Sequence, residues 1–267
     1  MDGATSEPLG REEEKWREMG TVAVERVGLG FLGLFFTASA LLLMFLAFLG
    51  GARNSNPLNI IYWLEADTGN IPGAPALSRW TYWQLCAVNS QGKNECGKSY
   101  PDYPFDPPSH RNFGTDVNVP SAFIGTNHYF LTSRFMFPFH IIALFFATCS
   151  LFTGFLAMCT RIGNWVSAFS AYIALTFQAI TTCLMTAVYV QGRNKFNNNG
   201  QSAHLGSKAF AFMWTSVALL FFSCVIYCMG GAVGRKDGGY SGREQRRRGF
   251  FSSRRSGSLR SNKETAP

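Results

Sequence analysis

Arg79-Trp80-Thr81-Tyr82-Trp83-Gln84-Leu85-Cys86, preceded by Trp63 and followed by Cys96, settles what kind of molecule this is. It sets Trp80, Trp83 and Cys86 in the spacing W-x2-W-x2-C, inside the one long polar segment of a chain otherwise dominated by four apolar runs. A polar segment of that length between greasy helices has to be a folded feature presented to the aqueous side.

Of 267 residues, 47% are hydrophobic and 25 are Phe, too apolar for an ordinary soluble domain. Four charge-free runs hold the excess: Val27 to Leu49, Phe135 to Thr160, Trp165 to Val190 and Ala209 to Val233. Each reaches the roughly 20 residues that a helix rising about 1.5 Å per residue needs to cross a hydrocarbon core of about 30 Å. The expectation is an all-α membrane protein, a bundle of four transmembrane helices over residues 27–233, with an N-terminal segment 1–26 and a tail 234–267. The first run exceeds the roughly 7 to 15 apolar residues of a signal peptide and has no clear cleavage site before Asn54, so it reads as a retained span.

Lys and Arg placement orients the bundle, because the cytoplasmic side retains positive charge. With both termini inside, the inner segments hold 15 such residues in about 68, and the outer segments hold 9 in about 103. Both ends are therefore expected in the cytoplasm, and loop 50–133 outside. Five of the seven cysteines lie in spans, where Cys is a small apolar residue. Cys86 and Cys96 are the pair facing an oxidising compartment, and a disulfide between them is expected.

Residues 1–26 are acidic and mixed in charge; Ser6-Glu7-Pro8 and the i,i+4 pair Glu13 and Arg17 fit a short surface helix with Trp16 at headgroup level, and a solvated tail fits as well. Gly28-x-Gly30-x-x-Gly33 has the form of a dinucleotide fingerprint, but it lies in a membrane helix without a βαβ unit, so the glycines read as sites of close helix approach. In the outer loop, Asn59 to Leu64 and Arg79 to Cys86 read as strands, and Val88 to Glu95 as a hairpin turn closed by the cysteine pair, giving a small disulfide-stapled antiparallel sheet. Closing about ten residues restricts the unfolded chain by somewhat under about 3 kcal/mol. Tyr100 to Pro108, with its four prolines, is stiff and extended, and Asp102 and Asp106 read as surface carboxylates rather than calcium ligands. Arg134 marks the outer boundary of the second span, and His140 one turn inside it reads as a structural, hydrogen-bonded histidine rather than a proton relay.

Arg161-Ile-Gly-Asn164 reads as a tight inner turn between the second and third spans. Ser167, Ala171, Ala174, Gln178, Thr181 and Met185 fall at heptad spacing, a small and polar stripe suited to helix packing; a pore lining is the sharper alternative, without a charged ring to support it. In the tail, Arg246, Arg247, Arg248, Arg254 and Arg255 alternate with Phe250, Phe251 and serines, a segment too polar to bury a core and expected to be disordered. It reads as a site for anionic lipid that serine phosphorylation would weaken, with plain positive-inside retention as the bland alternative. No Walker loop, H-E-x-x-H or nucleophile elbow occurs, and the four His are scattered without ligand spacing, so no catalytic residue, cofactor or metal is expected, and no nucleic acid.

Trp63, then Trp80-x2-Trp83-x2-Cys86-x9-Cys96, then Arg134, resembles the first-loop signature of claudin-like four-span proteins, although Thr81 and Tyr82 replace the glycine and leucine of true claudins. A closer resemblance, over most of residues 30–230, is to the fungal Sur-seven/PalI family, carried by residues 61–68, 78–83 and 103–107, by Gly192-Arg193 and by Lys208 to Trp214. That resemblance implies a plasma-membrane protein of eisosomes, the static furrow-like domains beneath the fungal cell wall. It implies an organising role in cortical structure, cell-wall and stress integrity and, in some members, sporulation. The partners expected are anionic lipid, cortical eisosome proteins and further copies of the chain side by side. The alternative is a PalI-type pH-signalling component or a small channel.

Overall fold

The computed structural model describes residues 7–232. Four long helices, α1 (Glu7–Leu49), α2 (His128–Cys159), α3 (Arg161–Asn198) and α4 (Ser207–Ala232), form a bundle, and a five-stranded antiparallel sheet caps one end. Val27–Leu49, His128–Met158, Ile162–Asn198 and Ser207–Ala232 are long and apolar enough to cross a membrane. This is a claudin-like four-span fold.

In lipid no hydrophobic force drives helices together, so small and hydroxyl-bearing residues have to do it. Between α1 and α4, an added Cβ on Gly33 would come within 2.7 Å of the Tyr227 ring, so the glycine admits that ring. Thr37 and Ser223 meet beside it at 2.5 Å. Between α2 and α3, Ser167 donates to the Thr153 hydroxyl at 2.9 Å, and Ser170 to the Phe146 carbonyl at 2.8 Å. Between α3 and α4, Gln178 Nε2 donates to Ser216 at 2.9 Å. Ser167, Ala171, Ala174, Gln178, Thr181 and Met185 are all buried in the bundle. Phe35, Phe145, Phe152, Phe169 and Phe221, by contrast, face outward.

Several boundaries differ from the sequence expectation. α1 is a single helix from Glu7, extending the first span rather than standing apart from it. Arg161 to Asn164 is the first turn of α3, not a loop: Thr160 alone separates α2 from α3, and its hydroxyl accepts from the Gly163 N–H as an N-cap. Toward the cap, α2 begins at His128 and α3 continues to Asn198, both beyond the apolar runs. There Tyr189 and Phe196 of α3 pack on Trp63 and Trp80 of the cap, and Tyr129 of α2 packs on Phe105 and Phe123 of the connecting loop. The tail arginines Arg246, Arg247, Arg248, Arg254 and Arg255 lie outside the described residues.

The strands are β1 (Leu64–Asp67), β2 (Leu77–Trp80), β3 (Leu85–Val88), β4 (Asn94–Glu95) and β5 (Ala203–Leu205), in the order β4-β3-β2-β1-β5. The strand expected over residues 59–64 is instead a 3-10 turn at Leu58–Ile60, with β1 starting at Leu64. The strand expected over residues 79–86 is two strands, β2 and β3, because Thr81 turns the chain: its hydroxyl accepts from the N–H groups of Trp83 and Gln84. The hairpin after Val88 is as expected, with Asn89 N–H bonded to the Lys93 carbonyl and Gly92 at φ +70°. β5 comes from the segment between α3 and α4.

Candidate functional site

Strand register arranges the cap into two faces. Leu85, Trp80, Leu64 and Leu205 stand opposite one another across β3, β2, β1 and β5, and the side chains of Trp80 and Leu64 are buried. On the other face, one row runs from Cys86 to Arg79, Glu65 and His204. The β3–β4 register of Ala87 with Glu95 and Val88 with Asn94 continues that row to Cys96. The Cys86–Cys96 disulfide therefore joins directly opposed positions and closes the hairpin.

Arg79 is the centre of that row and only 8% exposed. Its Nε reaches Glu65 at 2.5 Å, and its Nη1 donates to the Gly92 carbonyl at 3.0 Å and to Asn94 Oδ1 at 2.9 Å. The guanidinium also lies over the Tyr62 ring, 4.1 Å from its centroid. Burial, then the Glu65 carboxylate, raises the Tyr62 phenol above its ordinary value, while Arg79 pulls the other way.

The three tryptophans fasten the cap to different parts of the bundle. Trp63 is buried against Tyr189 of α3 and Phe210 of α4, with ring centroids 6.3 and 6.1 Å away. Its backbone N–H donates to the Trp80 carbonyl, and its carbonyl accepts from Gly206. Trp80 donates from its indole to Asn112 at 2.7 Å and packs on Phe105, Phe113 and Phe196. Trp83 donates from its indole to the Phe48 carbonyl of α1 at 2.7 Å and meets Phe137 of α2. Between them the tryptophans touch all four helices.

Arg134 bonds Asp102 at 2.8 Å in a half-buried pair that ties the proline-rich loop to the start of α2. Asp106 is raised by burial, against the Ser109 hydrogen bond. His140 is buried in α2 beside Phe48 and Tyr82, with Nδ1 3.5 Å from the Tyr82 hydroxyl. No group of three or more His, Cys, Asp or Glu that could hold a metal occurs among the described residues.

Sequence reasoning missed four participants: Arg79, Tyr82, Phe105 and β5. Arg79 and Tyr82 lie inside the W-x2-W-x2-C segment, whose spacing singles out its Trp and Cys alone. Gly192 was a usable signal for Phe105: an added Cβ there would lie 2.7 Å from the Phe105 ring, so a glycine on α3 marks where the proline-rich loop docks.

The model of the SUR7/PalI family matches residues 29–226. The chain is 38% identical over 200 residues to Protein SUR7 of Candida albicans, covering 74% of this chain and 70% of that one. It is 36% identical over 193 residues to SUR7 family protein FMP45 of Saccharomyces cerevisiae, covering 71% and 62%. A third relative, 32% identical over 200 residues and covering 73% and 65%, is the Saccharomyces cerevisiae "Uncharacterized plasma membrane protein YNL194C". None of these names is that of an enzyme, and the chain spans about two thirds of the length of each relative.

Proposed function

Because the chain belongs to the SUR7/PalI family, we propose that it acts without catalysis, as an organiser of eisosome-type cortical domains in the plasma membrane that contributes to cell-wall and stress integrity. The observation that carries this reading is the attachment of the cap: three tryptophans and one disulfide make the outer sheet and all four helices a single unit. A unit of that kind offers fixed surfaces for association. The burial of the α3 stripe against α2 and α4 argues against a water-filled lumen, and so against the channel alternative.

In this reading the cap faces outward and both termini are cytoplasmic, in line with the bias of Lys and Arg. The outward phenylalanines face lipid or neighbouring copies in lateral assemblies, and Arg246 to Arg248 with Arg254 and Arg255 hold anionic lipid from the inside. A fluorescently tagged copy tests it. Immobile peripheral patches are expected for the wild type, dispersing in Cys86→Ser and in a chain lacking residues 234–267. Uniform, fast-recovering fluorescence of the wild type would overturn the organiser role, and ion flux from the purified protein in vesicles would favour the channel.

A further inference from the structure

Four stretches of the sequence meet at one side of the cap: Tyr62 precedes β1, Arg79 sits on β2, Gly92 turns the β3–β4 hairpin, and Gly206 joins β5 to the first residues of α4, Ser207 and Lys208. Between them lies a half-open cleft of about 160 Å3. One water occupies about 30 Å3 of liquid, so the cleft has room for a tetrahedral oxyanion.

Two cations line it and no carboxylate does. Arg79 is buried and immobilised: Glu65 holds Nε, Gly92 and Asn94 hold Nη1, and the Tyr62 ring supports its plane. Its third nitrogen, Nη2, has no carbonyl or carboxylate partner among the described residues, and the Tyr62 hydroxyl also bonds the guanidinium. Lys208 is exposed at the rim and has no acidic partner among the described residues. Glu65 neutralises one of the two charges, leaving the cleft positive. The first turn of the 26-residue α4 begins at the same place, and its leading N–H groups have no acceptor within the helix.

We propose that this cleft binds one phosphate group, carried by an outer-leaflet lipid headgroup or by a free phosphate ester. The Arg79 guanidinium, the Lys208 ammonium, the Ser207 hydroxyl and the first N–H groups of α4 supply the donors, more than a planar carboxylate needs and enough for the several oxygens of a tetrahedral anion. The site goes beyond the organiser role and stands or falls separately from it.

The full chain in a phosphate-free glycoside detergent is titrated by calorimetry with inorganic phosphate, with a short-chain phosphatidic acid and with acetate. Saturable binding of at least one phosphate probe is expected, weakened about tenfold or more in Lys208→Gln. That variant changes an exposed side chain, so an unaltered melting temperature and an intact Cys86–Cys96 bond certify its fold. Saturation by inorganic phosphate supports the site and assigns a free ester; saturation by the lipid alone supports it and assigns a headgroup. Saturation by neither, equal affinity in Lys208→Gln, or acetate binding as tightly as phosphate overturns it.

Discussion

The indole N–H of Trp83 donates to the carbonyl of Phe48 at 2.7 Å, while the two rings meet edge to face at 5.4 Å. Phe48 lies in the last turn of α1, where carbonyls have no acceptor role left inside the helix. Trp83 therefore caps the C-terminal end of α1 and ties it to the turn between β2 and β3.

Trp83→Phe keeps most of the ring packing and removes that donor. The expected loss is about 1 kcal/mol, read as a lower melting temperature of the purified protein in detergent. Trp83→Ala should lose more, because the contacts with Phe48 and Phe137 go too.

Glu65→Gln leaves the Arg79 guanidinium buried without a counter-charge. Breaking one side of such a pair is expected to cost about 3 kcal/mol. A double-mutant cycle with Arg79→Gln, followed by thermal unfolding, should find the two losses strongly non-additive.

Gln178 and Ser216 test packing against pore. Ser216→Ala leaves the buried Gln178 amide only the weak Met213 sulfur as acceptor and should cost about 0.6 kcal/mol, the average for polar contacts between membrane helices. Gln178→Leu, which removes the demand as well as the donor, should be close to neutral. Patch localisation should survive both, as imaging of tagged variants can check.

Tyr103 gives a pH dependence. Burial raises its phenol to about 12, the Arg111 charge opposing, and its hydroxyl donates to the Arg111 carbonyl. A folded value above the unfolded one, about 10, contributes stability that is complete below about pH 10 and is lost as pH rises through about 12. Tyr103→Phe should therefore show a shallower fall in stability over that interval, measured by unfolding at a series of alkaline pH values.

The recognisable parts of the cap were those whose cause is local. Cys86 and Cys96 flank a turn marked by Asn89 and Gly92, so their opposition follows from a short hairpin. The glycines of α1 announced close helix contact, and Gly33 provides it while Gly28 does not, because only helix rotation decides which of them faces a neighbour. The turn at Thr81 was hidden, since alternation continues through residues 79–86 and the hydroxyl that breaks the strand has an unremarkable sequence context.

The sequence by itself determined the four spans and the disulfide, since the length of an apolar run and the spacing of two cysteines about a short hairpin depend on nothing further away. Only the tertiary structure decided that the segment between α3 and α4 adds β5 beside β1, that Arg79 sits between Glu65 and the hairpin, and that each tryptophan reaches a different set of helices. Those contacts join positions up to well over a hundred residues apart. Their geometry comes from how the helices rotate and where the loops land, which hydropathy and spacing along the chain do not encode.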